Sequence, residues 1–474
     1  MHLMEFKSVD KVNQRALAPF FAAQRRHMGD FSHAFMFMWN DTLKPAYAIV
    51  ENCLVIREYF GGKCFFHFPL SLTDSLEEEM RAVAAIEEHC RKISEILHFT
   101  NVPKSRVADM VIRYGAADVT NSRRWRDYLY LAEEFKSFPG KKYAGQRNHV
   151  RKFEKLYSDW QFREAIPSDM GAINAFLREY EAVQRRKKTH LAEEEMNEVF
   201  ALLPHIASFG LYVGILMVEG KIVGFSVGER CGDTVIIHVE KALRDYGGAG
   251  PFLAQQFARR FCGDGVIYLN RMDDAGDLGL RKSKLQYQPI ALVDKFNVIP
   301  RRPIEQLSQL PTLATERLTL LPVREEDAAE YARLASDIVR NRYWGYDWRT
   351  DCKNTPDAEY FLMAAREEFC HRREMPLGMY AEGRLVGEVV LHNFGYTAQV
   401  EVGVRLLPEF EGKGYAKEAV RTYSEYAFSE LNIERVEAKC YRENARSRAM
   451  LLSAGMREIG SDDTFYYFVR TPGM

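Results

Sequence analysis

The chain has 474 residues, 47% of them hydrophobic and 12% aromatic, which is ample for about three packed domains at roughly 150 residues each. A formal net charge of −1 excludes a global field toward nucleic acid or an anionic membrane, so contact with either requires a local patch. The eight cysteines are scattered with no C-x-x-C pair, which argues against a metal site or a disulfide framework and suits a reducing cytosol.

The first residues carry no signal-type apolar region, and no run approaches the ~18 apolar residues of a membrane helix; the expectation is a soluble, cytoplasmic protein without an integral membrane segment. The aromatic run Phe31 to Asn40 reads as core. Ala46 to Glu58 and Lys63 to Phe68 read as strands around the Gly61-Gly62 turn, and Ser75 to Leu97 as an amphipathic helix capped by Thr73 or Asp74. Lys141 to Lys155 carries six basic residues against one acidic. It is either a solvated helix face or a phosphate-binding patch in which Tyr143 and His149 sit among the cations.

Further on, a hairpin turned at Glu219-Gly220 joins Tyr212–Val218 to Lys221–Gly228, and a strand, Thr234 to Glu240, leads to the glycine turn Gly247-Gly248-Ala249-Gly250 and a helix. The pattern recurs. V-E-G-K-I-V-G-F (Val218 to Phe225) matches A-E-G-R-L-V-G-E (Ala381 to Glu388), and about 28 residues beyond each turn a glycine turn opens a helix. Between the copies, the prolines and charges of Ile299 to Pro311 mark a domain boundary.

The second copy is the more explicit. Val400, Val402, Val404 and Leu406 alternate with Glu401, Gly403 and Arg405 in the period of a strand, and Pro408 ends it. Gly412-Lys413-Gly414 then turns the chain into a helix from Ala416 to Ala427. A strand, a glycine turn and a helix N-terminus in that order form a cradle for phosphate, because free N–H groups converge where the helix dipole favours an anion.

From Pro311 to its end the chain resembles the GNAT acyl-CoA N-acetyltransferases, in particular the ribosomal-protein alanine N-acetyltransferase (Rim-type) branch. The matching residues are T-E-R-L-T-L (Thr315 to Leu320), E-V-G-V (Glu401 to Val404), E-G-K-G-Y-A (Glu411 to Ala416) and E-N-A-R-S-R-A-M-L-L-S-A-G-M (Glu443 to Met456). The family's pyrophosphate motif falls on Glu409, Gly412 and Gly414, with Glu409 in place of the usual Gln or Arg. The first 300 residues resemble the C-terminal domain of phosphatidylglycerol lysyltransferases, a tandem GNAT-like, aminoacyl-tRNA-dependent family. That resemblance rests on Gly140 to His149, His238 to Ala242 and, above all, Tyr268 to Pro289. The membrane half of the full lysyltransferases is missing, so a lipid acceptor is not implied.

Together these imply an α/β (α+β) protein of three GNAT-like units, each a mixed central sheet flanked by helices. The expected division is 1–165 and 166–300 for the two halves of the lysyltransferase-like domain and 312–474 for the acetyltransferase domain. The resemblance implies acetyl-CoA as co-substrate and an amine acceptor, a peptide N-terminus or a small molecule. It implies tRNA as a second partner at the N-terminal domain, or else a domain that only presents substrate. Cofactor contacts are expected at Leu406, Leu407, Gly412, Lys413, Gly414, Tyr415, Ala416 and Asn444. Glu401 is the candidate base, with a solvated strand carboxylate as the plain alternative and Glu388 or His392 next in line. Where many relatives carry an acidic tyrosine this chain has Leu451, so the resemblance passes the role of bonding the leaving thiolate to Ser447.

Overall fold

The two matching hairpins have the same backbone. In the computed structural model Glu219 and Gly220 have φ of +50° and +78°, and Glu382 and Gly383 have +50° and +79°. Two consecutive left-handed residues are what a tight hairpin needs to match the twist of its strands. The structure describes residues 3–9, 13–93, 95–184, 190–206, 208–339, 341–344, 347–350 and 352–474. They divide into two compact units, 1–110 with 118–299, and 111–117 with 300–474.

The first unit holds two mixed sheets. One is centred on Ala46–Val50, Cys53–Phe60, Lys63–His67 and Phe99–Val102. The other has seven strands in the order Ala291–Val293, Asp127–Leu131, Tyr268–Asn270, Thr234–Ala242, Lys221–Cys231, Tyr212–Val218, Trp160–Glu164. The second unit has one eight-stranded sheet: Leu313–Ala314, Thr319–Leu321, Met375–Ala381, Arg384–His392, Gln399–Leu406, Arg435–Tyr441, Phe465–Arg470, Arg457–Ser461. Its core packs Met375, Leu377 and Val389 with Val400 and Val402 against Ala419, Val420 and Tyr423 of the helix Tyr415–Glu430. Three mixed sheets with flanking helices are the architecture expected from the repeat and the resemblance together.

Local details differ from the sequence reading. Ala46 to Glu58 is two strands, not one, because Glu51 and Asn52 turn the chain at φ of +53° and +61°. The turn carries no glycine or proline, so composition does not mark it. The helix Leu76–Ile93 stops short of Leu97, and the hydroxyl that accepts from its first turn is Ser75, bonded by the Glu78 N–H at 3.4 Å, not Thr73 or Asp74. Asp127–Leu131 and Trp160–Glu164 lie before the expected boundary at 165/166, yet both are strands of the seven-stranded sheet. Strand pairing is not local, and Asp127–Leu131 finds its partner in Tyr268–Asn270, far along the chain.

Candidate functional site

In the second unit the strand Gln399–Leu406 is antiparallel to Arg384–His392 along most of its length, with Glu401 opposite His392 and Leu406 opposite Gly387. On its other edge it pairs with Arg435–Tyr441, parallel, and only at Gln399, Val400 and Glu401. Beyond them both strands continue without a ladder between them, so the sheet opens into a wedge at their C-terminal ends. The hydrogen-bond phase decides which N–H groups face it. The Leu407 N–H donates to Val386 O at 2.9 Å, which makes that a bonded antiparallel pair. Pairs one step away are non-bonded, so the Leu406 N–H, and Val404 two residues before it, point into the wedge. Of the two leucines expected to contact the cofactor, Leu406 turns its N–H away from Arg384–His392 and Leu407 has spent its own.

The wedge leads to the glycine turn. Gly412 and Gly414 have φ of +74° and +84°, and Gly414 is the N-cap of Tyr415–Glu430. Residues 411–414 are exposed, and nothing lies within 4 Å of where a Gly412 Cβ would stand. The first N–H groups of a helix have no partner within it. Those of Tyr415 and Ala416 therefore converge on open space beside the exposed Lys413, whose ammonium lies 4.9 Å over the Phe410 ring. Glu409, at the motif position where the family carries Gln or Arg, is paired with Arg333, which neutralises its charge beside the turn.

The face of the sheet away from that helix carries the polar residues. The Glu401 carboxylate accepts from the Asn393 amide at 2.9 Å and lies 3.4 Å from the Lys439 ammonium and 3.9 Å from the His392 ring. Burial foremost, with Lys439 adding to it and Glu401 opposing, holds His392 below its ordinary pKa, so the ring is neutral at pH 7. Glu388 is committed elsewhere. One of its oxygens accepts from Tyr331 at 2.6 Å, the other from Arg405 at 2.8 and 2.6 Å, and Arg405 also stacks 4.4 Å over Trp344. This buried triad holds the sheet to the helix Ala328–Ser336 and engages both oxygens of Glu388 in structural bonds.

Glu374 is a group the sequence did not single out. It precedes Met375, whose partner is Leu391, so it sits level with His392. Burial, then the carboxylates of Glu368 and Glu388, push its carboxyl up to about 7. A carboxyl raised in the folded state adds most to stability below its ordinary value and loses that contribution as pH rises through about 7. Glu374→Gln should therefore raise Tm by about 2–4 °C at pH 8 and by much less at pH 5; equal shifts in thermal melts at both pH values would remove the buried carboxylate from the account.

Across the wedge, the Asn444 side chain accepts from the Ser447 N–H at 3.1 Å and so caps the helix Ala445–Ser453. The Ser447 hydroxyl lies beside the Cys440 thiol, which burial pushes up. The cap fixes Ser447 on the Arg435–Tyr441 side of the wedge.

The first unit repeats the layout with both openings closed. Thr234–Ala242 pairs with Tyr268–Asn270, parallel, at Thr234, Val235 and Ile236. Past that point Arg271 bonds Glu240 at 2.5 Å, joining the diverging strands, and stacks 4.4 Å over Tyr287. Gly248, at φ +95°, caps Ala249–Phe261, but a Cβ there would strike the His149 carbonyl and stand 3.2 Å from the Phe153 Cβ. The helix Ala144–Leu156 thus lies directly on the glycine turn, with Gln146, Val150 and Phe153 inward. The basic residues of Lys141 to Lys155 divide. Arg147 donates to the carbonyls of Phe138 and Gly140, and Lys142 pairs with Glu134 at 2.7 Å. Lys141, Arg151, Lys152 and Lys155 are exposed without an ion pair among the described residues, as is His149.

The long Tyr268–Pro289 run builds a braced loop. Asp274 accepts from Arg281 at 2.9 Å, Tyr128 at 2.6 Å and Arg123 at 3.2 Å. The Lys284 ammonium donates to the carbonyls of Arg271, Met272 and Asp273. Asp273 itself is pushed up to about 6, by burial first, with Lys295 opposing.

Two family models cover the chain. One, described as phosphatidylglycerol lysyltransferase, C-terminal, matches residues 21–299. The chain belongs to this family. The other, an acetyltransferase (GNAT) domain, matches residues 317–457, so the lysyltransferase-type region is joined to an acetyltransferase domain. The chain is 33% identical over 109 residues to the uncharacterized N-acetyltransferase YnaD of Bacillus subtilis, 23% of this chain and 56% of that protein, so it spans little more than half of YnaD. It is 30% identical over 175 residues to the FsC-acetyl coenzyme A-N(2)-transacetylase of Aspergillus fumigatus, 34% of this chain and 70% of that protein. Among solved structures, a conserved protein of unknown function from Bacteroides thetaiotaomicron aligns with a TM-score of 0.59 at 26% identity, covering 63% of this chain and 99% of that one. No helix among the described residues is long and apolar enough to cross a membrane.

Proposed function

We propose that residues 312–474 transfer an acetyl group from acetyl-CoA to a primary amine. The observation that carries this is the open wedge leading to an unobstructed glycine turn, in the part of the chain that matches the acetyltransferase domain. Acetyl-CoA, when bound, supplies an activated thioester. The turn from Gly412 to Ala416 receives its pyrophosphate, with Lys413 adding positive charge. The Leu406 N–H stands where it can donate to the thioester oxygen as negative charge develops there. Asn444 lies along the same wall, with its oxygen in the helix cap and its amide NH₂ left to meet the pantetheine arm. Glu401 takes the proton of the attacking amine, directly or through a water, and Ser447 donates to the departing thiolate. His392, neutral beside Glu401, is the alternative proton acceptor.

The acceptor follows from what deprotonating it costs. A lysine amine with pKa ~10.4 costs about 4–5 kcal/mol to deprotonate at neutral pH, against ~1 for an α-amine near ~8. Glu401 already accepts from Asn393 and lies close to Lys439, and the acceptor that demands least of it is an α-amine such as a peptide N-terminus. Thermal-shift titration of the intact chain tests the donor. Acetyl-CoA and CoA at 100 times Kd should each add about 2.7 kcal/mol of stability, and no shift at millimolar acetyl-CoA would defeat the reading.

A second activity, aminoacyl transfer from charged tRNA by residues 1–300, is favoured by one observation. The helix that closes the Gly247-Gly248 turn presents Arg151 and Lys155 outward, exposed and without an ion pair among the described residues, and lays the Lys152 ammonium over Gly247, 3.3 Å from where a Cβ would stand. A closed turn and a bridged wedge suit a donor other than CoA. Arg151→Glu with Lys152→Glu should then weaken tRNA binding by about 10-fold or more at low salt and flatten its salt dependence. If the unaltered chain binds no tRNA at low salt, the helix is a solvated face and the domain presents substrate at most.

A further inference from the structure

We infer that Arg317, outside the motifs that bind and react, is a positioning residue for the donor: it holds the Gly412–Gly414 turn in the shape that receives the pyrophosphate. This deepens the acetyl-CoA reading and rests on it. Besides Arg317, the ties on and beside the turn include Lys413 over the Phe410 ring and, just before it, Glu411 bonded to Arg446 at 3.3 Å. The turn is exposed, contains two glycines at positive φ, and has no atom within 4 Å of a Gly412 Cβ, so by itself it would sample many conformations.

Arg317 reaches it from the Thr315-Glu316-Arg317 corner between Leu313–Ala314 and Thr319–Leu321. Its Nη1 donates to the carbonyl of Lys413, the middle residue of the turn, at 2.9 Å. Its Nε donates to Glu418 Oε2 at 2.8 Å, and its backbone N–H to Glu418 Oε1 at 2.9 Å. The guanidinium lies 5.1 Å over the Tyr415 ring, and a Cβ on Gly414 would stand 3.2 Å from Nη2. Glu418 belongs to the first turn of the helix, and the Thr315 hydroxyl donates to the same carboxylate while accepting from the Leu318 N–H. One planar group thus ties the carbonyl before the N-cap to a carboxylate after it, and fixes the span whose N–H groups must converge.

Only a fork can do this. A lysine ammonium is a single point of charge and cannot reach the Lys413 carbonyl and Glu418 together in that plane. Order imposed before binding is order the ligand need not impose, so the contribution should appear in the affinity for the part of the donor that touches the turn. The acetyl-pantetheine end lies in the wedge and should not register it.

The test uses the full chain, unaltered and as Arg317→Ala, Arg317→Lys, Glu418→Gln and the Arg317→Ala/Glu418→Gln double variant. Acetyl-CoA and S-acetylpantetheine, which lacks the pyrophosphate, are titrated calorimetrically, and Tm is recorded for each protein. The expected result is a loss of about 10- to 100-fold in acetyl-CoA affinity for Arg317→Ala, with S-acetylpantetheine within about 2-fold of the unaltered chain. Arg317→Lys should stay within about 3-fold of Arg317→Ala, and the double variant should lose no more than the worse single variant. Arg317→Lys at full affinity would mean that bare charge suffices, and overturns positioning. Equal losses for both donors with a fall in Tm would mean a purely structural tie, and overturns it as well. If the unaltered chain binds acetyl-CoA and Arg317→Ala binds it equally well, the clamp alone fails. An unaltered chain that binds no acetyl-CoA brings down the acetyltransferase reading, and the clamp with it.

Discussion

Replacing Gly412 or Gly414 by valine is expected to abolish acetyl-CoA binding and leave the acetyltransferase unit folded. Both glycines sit at positive φ, +74° and +84°, where a β-branched residue costs about 1–3 kcal/mol. That strain moves the turn before any ligand arrives. The new side chain then projects into the open space where the pyrophosphate would meet the N–H groups, since at Gly412 no protein atom occupies it. At Gly414 it also displaces the Arg317 guanidinium, 3.2 Å away. The fold survives because residues 411–414 are exposed, while the sheet core lies under Ala419, Val420 and Tyr423. Calorimetric titration should show no acetyl-CoA binding by either variant, at a Tm within a few degrees of the unaltered chain. Unchanged affinity in both would remove the cradle from the mechanism.

Glu401→Gln and Ser447→Ala should both lower turnover and differ in how the loss depends on pH. A base matters most where the amine is protonated, so Glu401→Gln should cost most at low pH and progressively less as the amine loses its own proton. Ser447 acts on the departing thiolate, after the attack, so its loss should be a constant factor. Removing one hydrogen bond to a developing charge suggests about 1.5–3 kcal/mol, or roughly 10- to 150-fold. Neither residue is in the glycine turn, so acetyl-CoA affinity should hold. The measurement is kcat against pH for both variants with one peptide α-amine. A Glu401→Gln profile parallel to that of the unaltered chain would make Glu401 structural and pass the role to His392. Glu388 is not a fallback, because Tyr331 and Arg405 hold both its oxygens.

Much of this was legible along the chain because it rests on local chemistry. Alternation from Val400 to Leu406 fixed which face is buried, and Val400 and Val402 are indeed 1% and 5% exposed. The glycines at 220, 248, 383, 412 and 414 all take positive φ, a backbone constraint that only residue type expresses. The repeated hairpin and glycine turn could be aligned for the same reason, and so could the two family regions.

What the sequence could not say is which of two similar turns is open. Gly247-Gly248 and Gly412-Lys413-Gly414 look alike as strings. The first is covered because a helix from about a hundred residues earlier lays its His149 carbonyl and Phe153 on it, and the second is open at Gly412. Likewise Leu406 and Leu407 are neighbours with the same side chain. Only the phase of pairing with Arg384–His392 turns one N–H into the wedge and the other into the ladder. Glu374, Glu388 and Glu401 are three carboxylates on one sheet face, and their separate states (raised, bonded on both oxygens, partly free) come from neighbours the chain brings from elsewhere. By itself the sequence determined the glycine turns, buried faces and the two families. Tertiary structure decided which backbone groups and carboxylates remain available for chemistry, because availability depends on contacts between segments far apart in the chain.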